Sequence, residues 1–204
     1  FKTAEVVIKK YLQSKPDDGE AWLLLGKIYF SRFKLVDSIE SLRRAKDSGY
    51  RHEDVFLDWL QILVYQGNFA GIEQLLAEQA FADYHDTPRA HRLLGDYAFL
   101  KKDAAGAKAH YDKEYARSGS EAVQCLAQVK LLVLEDKKQD VIANSTACET
   151  RHADDPAYDR SVSQYLRALA QYNSNEREAA SATLQTLLDT YPVSYTHLEP
   201  TRLR

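Results

Sequence analysis

The segment GEAWLLLGKIYFSRFKLVDSIESLRRAKDSGYRH, residues 19–52, carries two apolar stripes in succession. Trp22, Leu25 and Tyr29 make the first; Val36, Ile39, Leu42 and Ala45 make the second. Steps of three and four residues put each set on one face of a helix, so the spacing predicts two amphipathic helices joined by a short link. An isolated pair of this kind cannot bury both of its faces, so it calls for neighbours of the same design. Nothing in the chain alternates with period two over a useful length, which argues against strands.

Working outward, the phrase repeats. With Gly19 as position 1, Trp22, Leu25, Gly26, Tyr29, Ser38, Leu42 and Ala45 stand at positions 4, 7, 8, 11, 20, 24 and 27. Phe56, Gly67 and Phe69 start a second unit at Glu53, and Leu94, Gly95, Ala107 and Tyr111 a third at Pro88. Val141 and Ile142 set a fourth near Ala122. A fifth, around Ser161 with Ala168, Ala180, Leu184 and Pro192, comes about four residues late, and the loop His152–Tyr158 takes up the slack.

These offsets resemble the tetratricopeptide repeat family, whose pattern is W-x2-L-G-x2-Y, then small-x3-aromatic-x2-Ala, with a closing proline. The chain departs from it at Ser38, where alanine is usual, and at Leu42, where an aromatic is usual. The resemblance implies an all-α, right-handed superhelical solenoid of antiparallel helix pairs over residues 1–192. Its parts are a half repeat at 3–18 and repeats near 19–52, 53–87, 88–121, 122–155 and 156–192. Small residues at positions 8 and 20 set Gly26 against Ser38 and Gly95 against Ala107; the bulkier Leu60/Ile72 and Val129/Val141 are expected to splay their pairs.

Punctuation agrees with the period. Thr87-Pro88 and Asp155-Pro156 each place an N-cap oxygen before a proline fit for the first helical position. Ser48-Gly49 and Ser118-Gly119 each offer a glycine able to end a helix in the left-handed conformation. The chain starts at Phe1, already within a helical pattern, and reads as a fragment. Val193–Arg204 continues no pattern and is expected to be either adapter-derived read-through or a disordered terminus.

Composition narrows the partners. Of 204 residues, 45% are hydrophobic and 28% charged, ordinary values for a globular chain, and the net charge is −3. No positive field draws phosphate backbones, so nucleic acid is excluded as a default partner. The longest apolar runs fall far short of the ~20 residues that span a bilayer, so no membrane insertion is expected.

By the resemblance, positions 2, 5, 9, 12 and 13 of each first helix line a concave face that takes an extended peptide or a partner's helix. Carried onto this chain, the binding residues are Lys27, Phe30, Leu57, Gln61, Val64, Tyr65, Arg92, Asp96, Phe99, Lys130, Tyr165 and Tyr172. Glu20, Asp54 and Arg89 occupy position 2 of the first three units. Rigid rings with a few cations suit such a guest, while any single apolar residue among them equally suits packing between repeats. Leu23 and Lys27, with no asparagine beside them, rule out the clamp that holds acidic chaperone tails.

No H-E-x-x-H, glycine-rich phosphate loop, G-x-S-x-G or C-x-x-C occurs, so neither an enzyme nor a cofactor is expected. Asp83-His85-Asp86 and His152-Asp154-Asp155 read as turn residues rather than metal ligands. Cys125 and Cys148 fall at similar height in the fourth pair. A bridge needs Cα atoms under about 7 Å apart, tight for packed helices, so two partly buried thiols are expected. A bridge would instead point to an oxidising compartment.

The functional expectation is a non-catalytic protein-binding scaffold. Two alternatives stay open: a substrate-recruiting arm of a larger enzyme or export complex, and a spacer that self-associates. The phrase ESLRRAKDSG followed by EDVFLDWLQILVYQGNFAGIEQLL (40–49 and 53–76) resembles long bacterial repeat proteins of exopolysaccharide and surface-protein sorting systems. That likeness implies the periplasmic side of a cell envelope, with the cytoplasm as the alternative.

Overall fold

The computed structural model describes residues 2–191, and all regular structure among them is helical. Pro192 and the tail expected at 193–204 lie outside the described residues. The helices fall in two compact units, Phe1–Leu100 and Lys101–Arg204. The first holds α1 (Lys2–Ser14), α2 (Gly19–Ser31), α3 (Leu35–Asp47), α4 (Glu53–Gln66), α5 (Phe69–Leu76), a 3₁₀ turn at Gln79–Tyr84, and α6 (Pro88–Leu100). The second holds α7 (Ala104–Ser118), α8 (Glu121–Leu134), α9 (Lys138–Arg151), α10 (Arg160–Asn173) and α11 (Arg177–Thr190). The division falls within the repeat expected at 88–121.

A backbone regularity that the side chains conceal marks the period. The links α2–α3, α4–α5, α6–α7, α8–α9 and α10–α11 each contain one residue at positive φ: Phe33 (58°), Gly67 (60°), Lys102 (60°), Asp136 (54°) and Asn175 (65°). All five stand at position 15 of the units read from sequence, with the late fifth unit in register. A left-handed residue reverses the chain in the fewest steps, and an L side chain there costs roughly 1–2 kcal/mol. Only Gly67 avoids that cost. The glycines expected to end helices, Gly49 and Gly119, also lie at positive φ (81° and 64°).

Inside the first unit the close contact of α2 with α3 follows from Gly26. A Cβ there would stand 3.1 Å from two carbons of Leu42, so the leucine fills the space that glycine leaves. The serine at position 20 is equally accounted for: Ser38 is fully buried and its hydroxyl donates to the Gly26 carbonyl at 2.8 Å. The second pair is built differently. Leu60 and Ile72 are fully buried, α5 lasts only eight residues, and the 3₁₀ turn then swings Phe81 onto Phe56, ring centres 5.5 Å apart. Phe81 also meets Trp59 edge-on, so a turn that periodicity could not reveal supplies the centre of this core.

The second unit corrects two expectations. Cys125 and Cys148 are joined by a disulfide between α8 and α9, their Cα atoms 5.9 Å apart, rather than standing as free thiols. The antiparallel pair brings the two cysteines level, and that satisfies the reach of a bridge. Asp155-Pro156 opens a turn and not a helix: Asp155 Oδ1 accepts from Ala157 N, and α10 starts later, capped by Asp159. The delay lets Tyr158 turn inward, where it is buried and donates to Ser163 Oγ at 2.7 Å. Thr87 caps α6 as expected, its Oγ1 accepting from Ala90 N.

Three changes test the stability that this geometry implies. Lys102→Gly is expected to raise stability by about 1 kcal/mol by removing the left-handed penalty, and Gly67→Ala to lower it by about as much, since no atom crowds a Cβ there. Urea denaturation of both variants checks the pair. Reducing Cys125–Cys148, which closes a separation of 23 residues, is expected to lower stability by roughly 3 kcal/mol. Melts with and without reductant measure it, and a thiol count on the denatured, unreduced chain should be zero.

Candidate functional site

Three first helices of the first unit, α2, α4 and α6, pack in sequence and carry a ladder of charges across them. Lys27 Nζ on α2 lies 2.6 Å from Asp54 Oδ2 on α4. Arg89 on α6 donates from Nη2 to Asp58 Oδ1 at 2.6 Å and to Gln61 Oε1 at 2.8 Å, both on α4. Its Nη1 lies 3.5 Å from Asp54 Oδ1, and Lys27 lies 4.0 Å from Asp58, so each carboxylate is shared between the two cations.

Local structure sets the ladder's rungs. His52 caps α4, its Nδ1 accepting from Asp54 N, which holds Asp54 in the first turn where a negative charge is favoured. The hydrogen bond from Lys27 leads the causes that hold the Asp54 carboxyl below the usual aspartate range, with the Lys27, His52 and Arg89 charges adding to it. Asp58 is only 7% exposed, and a charge taken that far from water needs partners, which Arg89 and Lys27 supply.

The residues expected to bind a guest divide sharply. Lys27 is exposed and Gln61 half-buried, and both belong to the ladder. Leu57 and Val64 are a correction: both are buried among the side chains of the first core and give no surface to a partner. Positions 5 and 12 of α4 lie where its apolar stripe turns inward. Phe30 packs its half-buried ring on the same core. Tyr65 is 39% exposed, meets Phe33 edge-on at 5.5 Å, and has its hydroxyl pKa pushed up by burial. Arg92, Asp96 and Phe99 are half-buried along α6, on the stripe opposite its core residues Ala90, Leu93, Leu94 and Ala98.

In the second unit, Lys130 is also a correction: it is 8% exposed, with its ammonium 5.7 Å from the centre of the Tyr111 ring. Tyr165 is half-buried and its hydroxyl pKa is raised by burial, while Tyr172 is 61% exposed on α10. The two sets of residues belong to separate units.

Asp58 and Phe33 escaped the sequence reading. Asp58 left a signal, a carboxylate inside the apolar run VFLDWLQILV, because such a charge must find a cation across the packing face. Phe33 left none, since a ring in a three-residue link looks like any loop residue. No cluster of three or more histidine, cysteine or acidic side chains fit for a metal occurs among the described residues, and none of their helices is long and apolar enough to cross a membrane.

Residues 57–122 match the family model described as tetratricopeptide repeat. Over that third of its length the chain is similar to tetratricopeptide repeat proteins. A stretch of 108 residues is 25% identical to the cytochrome c-type biogenesis protein CycH of Pseudomonas aeruginosa, covering 52% of this chain and 26% of that protein. The chain therefore spans about a quarter of the length of this curated relative. Among solved structures, a tetratricopeptide repeat protein from Parabacteroides merdae superposes with a TM-score of 0.67 at 12% identity, over 91% of this chain and 71% of that one. YrrB, described as a TPR protein with an unusual peptide-binding site, gives 0.53 at 13% identity, over 96% and 98%. Yeast Tom70 gives 0.56 at 13% identity, over 91% and 39%. At such identities the likeness concerns the fold. The finer resemblance to sorting-system proteins gains no support from these relatives.

The ladder is open to a direct test. Asp58→Ala is expected to destabilise the tetratricopeptide fold by about 2 kcal/mol, the worth of a charge-assisted hydrogen bond with its partner left behind. In a double-mutant cycle with Arg89→Ala, the second substitution should cost much less once the first is made; additive losses in urea denaturation would deny the coupling.

Proposed function

We propose that this chain is a non-catalytic scaffold that holds a segment of a partner protein along the first helices α2, α4 and α6. The observation that carries the reading is the half-exposed stripe of α6, Arg89, Arg92, Asp96 and Phe99, lying beside the charge ladder and the exposed ring of Tyr65. The ladder joins three helices through ion pairs and so holds the backbone of that face rigid before any guest arrives, which lowers the ordering cost of binding. Rings on such a platform supply apolar contact at little entropic cost. That YrrB is described by a peptide-binding site supports the choice of guest.

The Cys125–Cys148 bridge bears on where this happens. Disulfides persist where glutathione and thioredoxin do not reduce them, which supports an oxidising compartment such as the periplasmic side of a bacterial envelope. The likeness to CycH favours a second, narrower reading, in which the guest is a protein of c-type cytochrome biogenesis. Under either reading the chain recruits, and any chemistry belongs to other components.

Peptides selected from a displayed library of random twelve-residue sequences provide the probe. Tyr65→Ala combined with Phe99→Ala is expected to leave the helical circular dichroism unchanged and to weaken the selected peptides about thirtyfold or more, the loss that even one truncated hot-spot ring brings. Undiminished binding by the double variant would place the guest elsewhere.

A further inference from the structure

Charges on the first-helix face do not all cancel. Asp54 and Asp58 are taken by Lys27 and Arg89, as the ladder distances show. Asp96, one turn beyond Arg92 on α6, has a partner of its own. Arg92 is left: half-buried, in the middle of the stripe, with no hydrogen bond, ion pair or ring contact among the described residues. A guanidinium is always charged and presents a planar fork of donors matched to a carboxylate. Holding one partly desolvated is unfavourable unless an anion joins it.

We propose that Arg92 is the anchor for an acidic side chain within the guest segment. The inference rests on the scaffold reading and adds the guest's chemistry to it. Phe99 lies seven residues further along α6, on the same face and about 10.5 Å away along the axis. An extended guest advances about 3.3 Å per residue, so a carboxylate on Arg92 places the side chain three residues away over Phe99. The guest motif is therefore an aspartate or glutamate separated by two residues from an aromatic or aliphatic residue. The pair reads one end by charge and the other by apolar contact, and the ladder between α4 and α6 fixes the platform that carries both.

The test uses the full chain with its disulfide intact and a random twelve-residue library fused at both ends, so that no free terminal carboxylate is presented. The expected result on the wild-type chain is enrichment of an acidic residue three positions from an apolar one. Arg92→Gln should bind the selected peptides about tenfold or more weakly, in keeping with loss of a charge-assisted bond, and Arg92→Lys should recover part of that. The melting temperature of Arg92→Gln should not fall, because Arg92 has no partner among the described residues. Enrichment of apolar residues alone, or binding by Arg92→Gln within twofold of wild type, overturns the role of Arg92 and leaves the scaffold standing. A selection that enriches nothing overturns both.

Discussion

A helix of thirteen or fourteen residues with an apolar stripe is marginal in water by itself, because few hydrogen bonds offset the cost of its nucleation. Its stability must come from a neighbour that covers the stripe, and that constraint organises the chain. Within each unit a helix needs its neighbour, and the backbone reverses within two or three residues to bring the two together. The residues at positive φ in the links are the local cost of that reversal, accepted at Phe33, Lys102, Asp136 and Asn175 and avoided at Gly67. Gly26 and Leu42 show the same demand from the packing side: the glycine admits the leucine, and the helices approach.

Once the helices are stacked, their outer positions meet across a boundary that no single helix contains. Opposite charges at matching heights become a ladder, and Lys27, Asp54, Asp58 and Arg89 use it to bind three helices. Polar groups that could have faced a guest are thereby converted into fasteners. Of the residues that the family pattern puts on this face, Tyr65, Phe99 and Arg92 stay exposed or half-buried and take no part in the ladder. Leu57 and Val64 follow the same logic in reverse, since apolar residues near the boundary are drawn into the core whenever packing allows. In the second unit a covalent bond serves where small residues are missing. Val129 and Val141 occupy the places that Gly26 and Ser38 hold in the first pair, and Cys125–Cys148 ties α8 to α9.

Helix content and the all-helical, paired architecture were determined by the sequence alone, because apolar spacing and turn chemistry are local and survive without partners. Three things waited for the tertiary structure: the 3₁₀ turn that sends Phe81 inward, the disulfide, and the division of the candidate site into fasteners and free groups. Each depends on distances between residues on different helices, such as the 5.9 Å between two Cα atoms or the 2.6 Å from Arg89 to Asp58. Position within a repeat says which way a side chain leaves its own helix, but only packing decides what stands there to meet it.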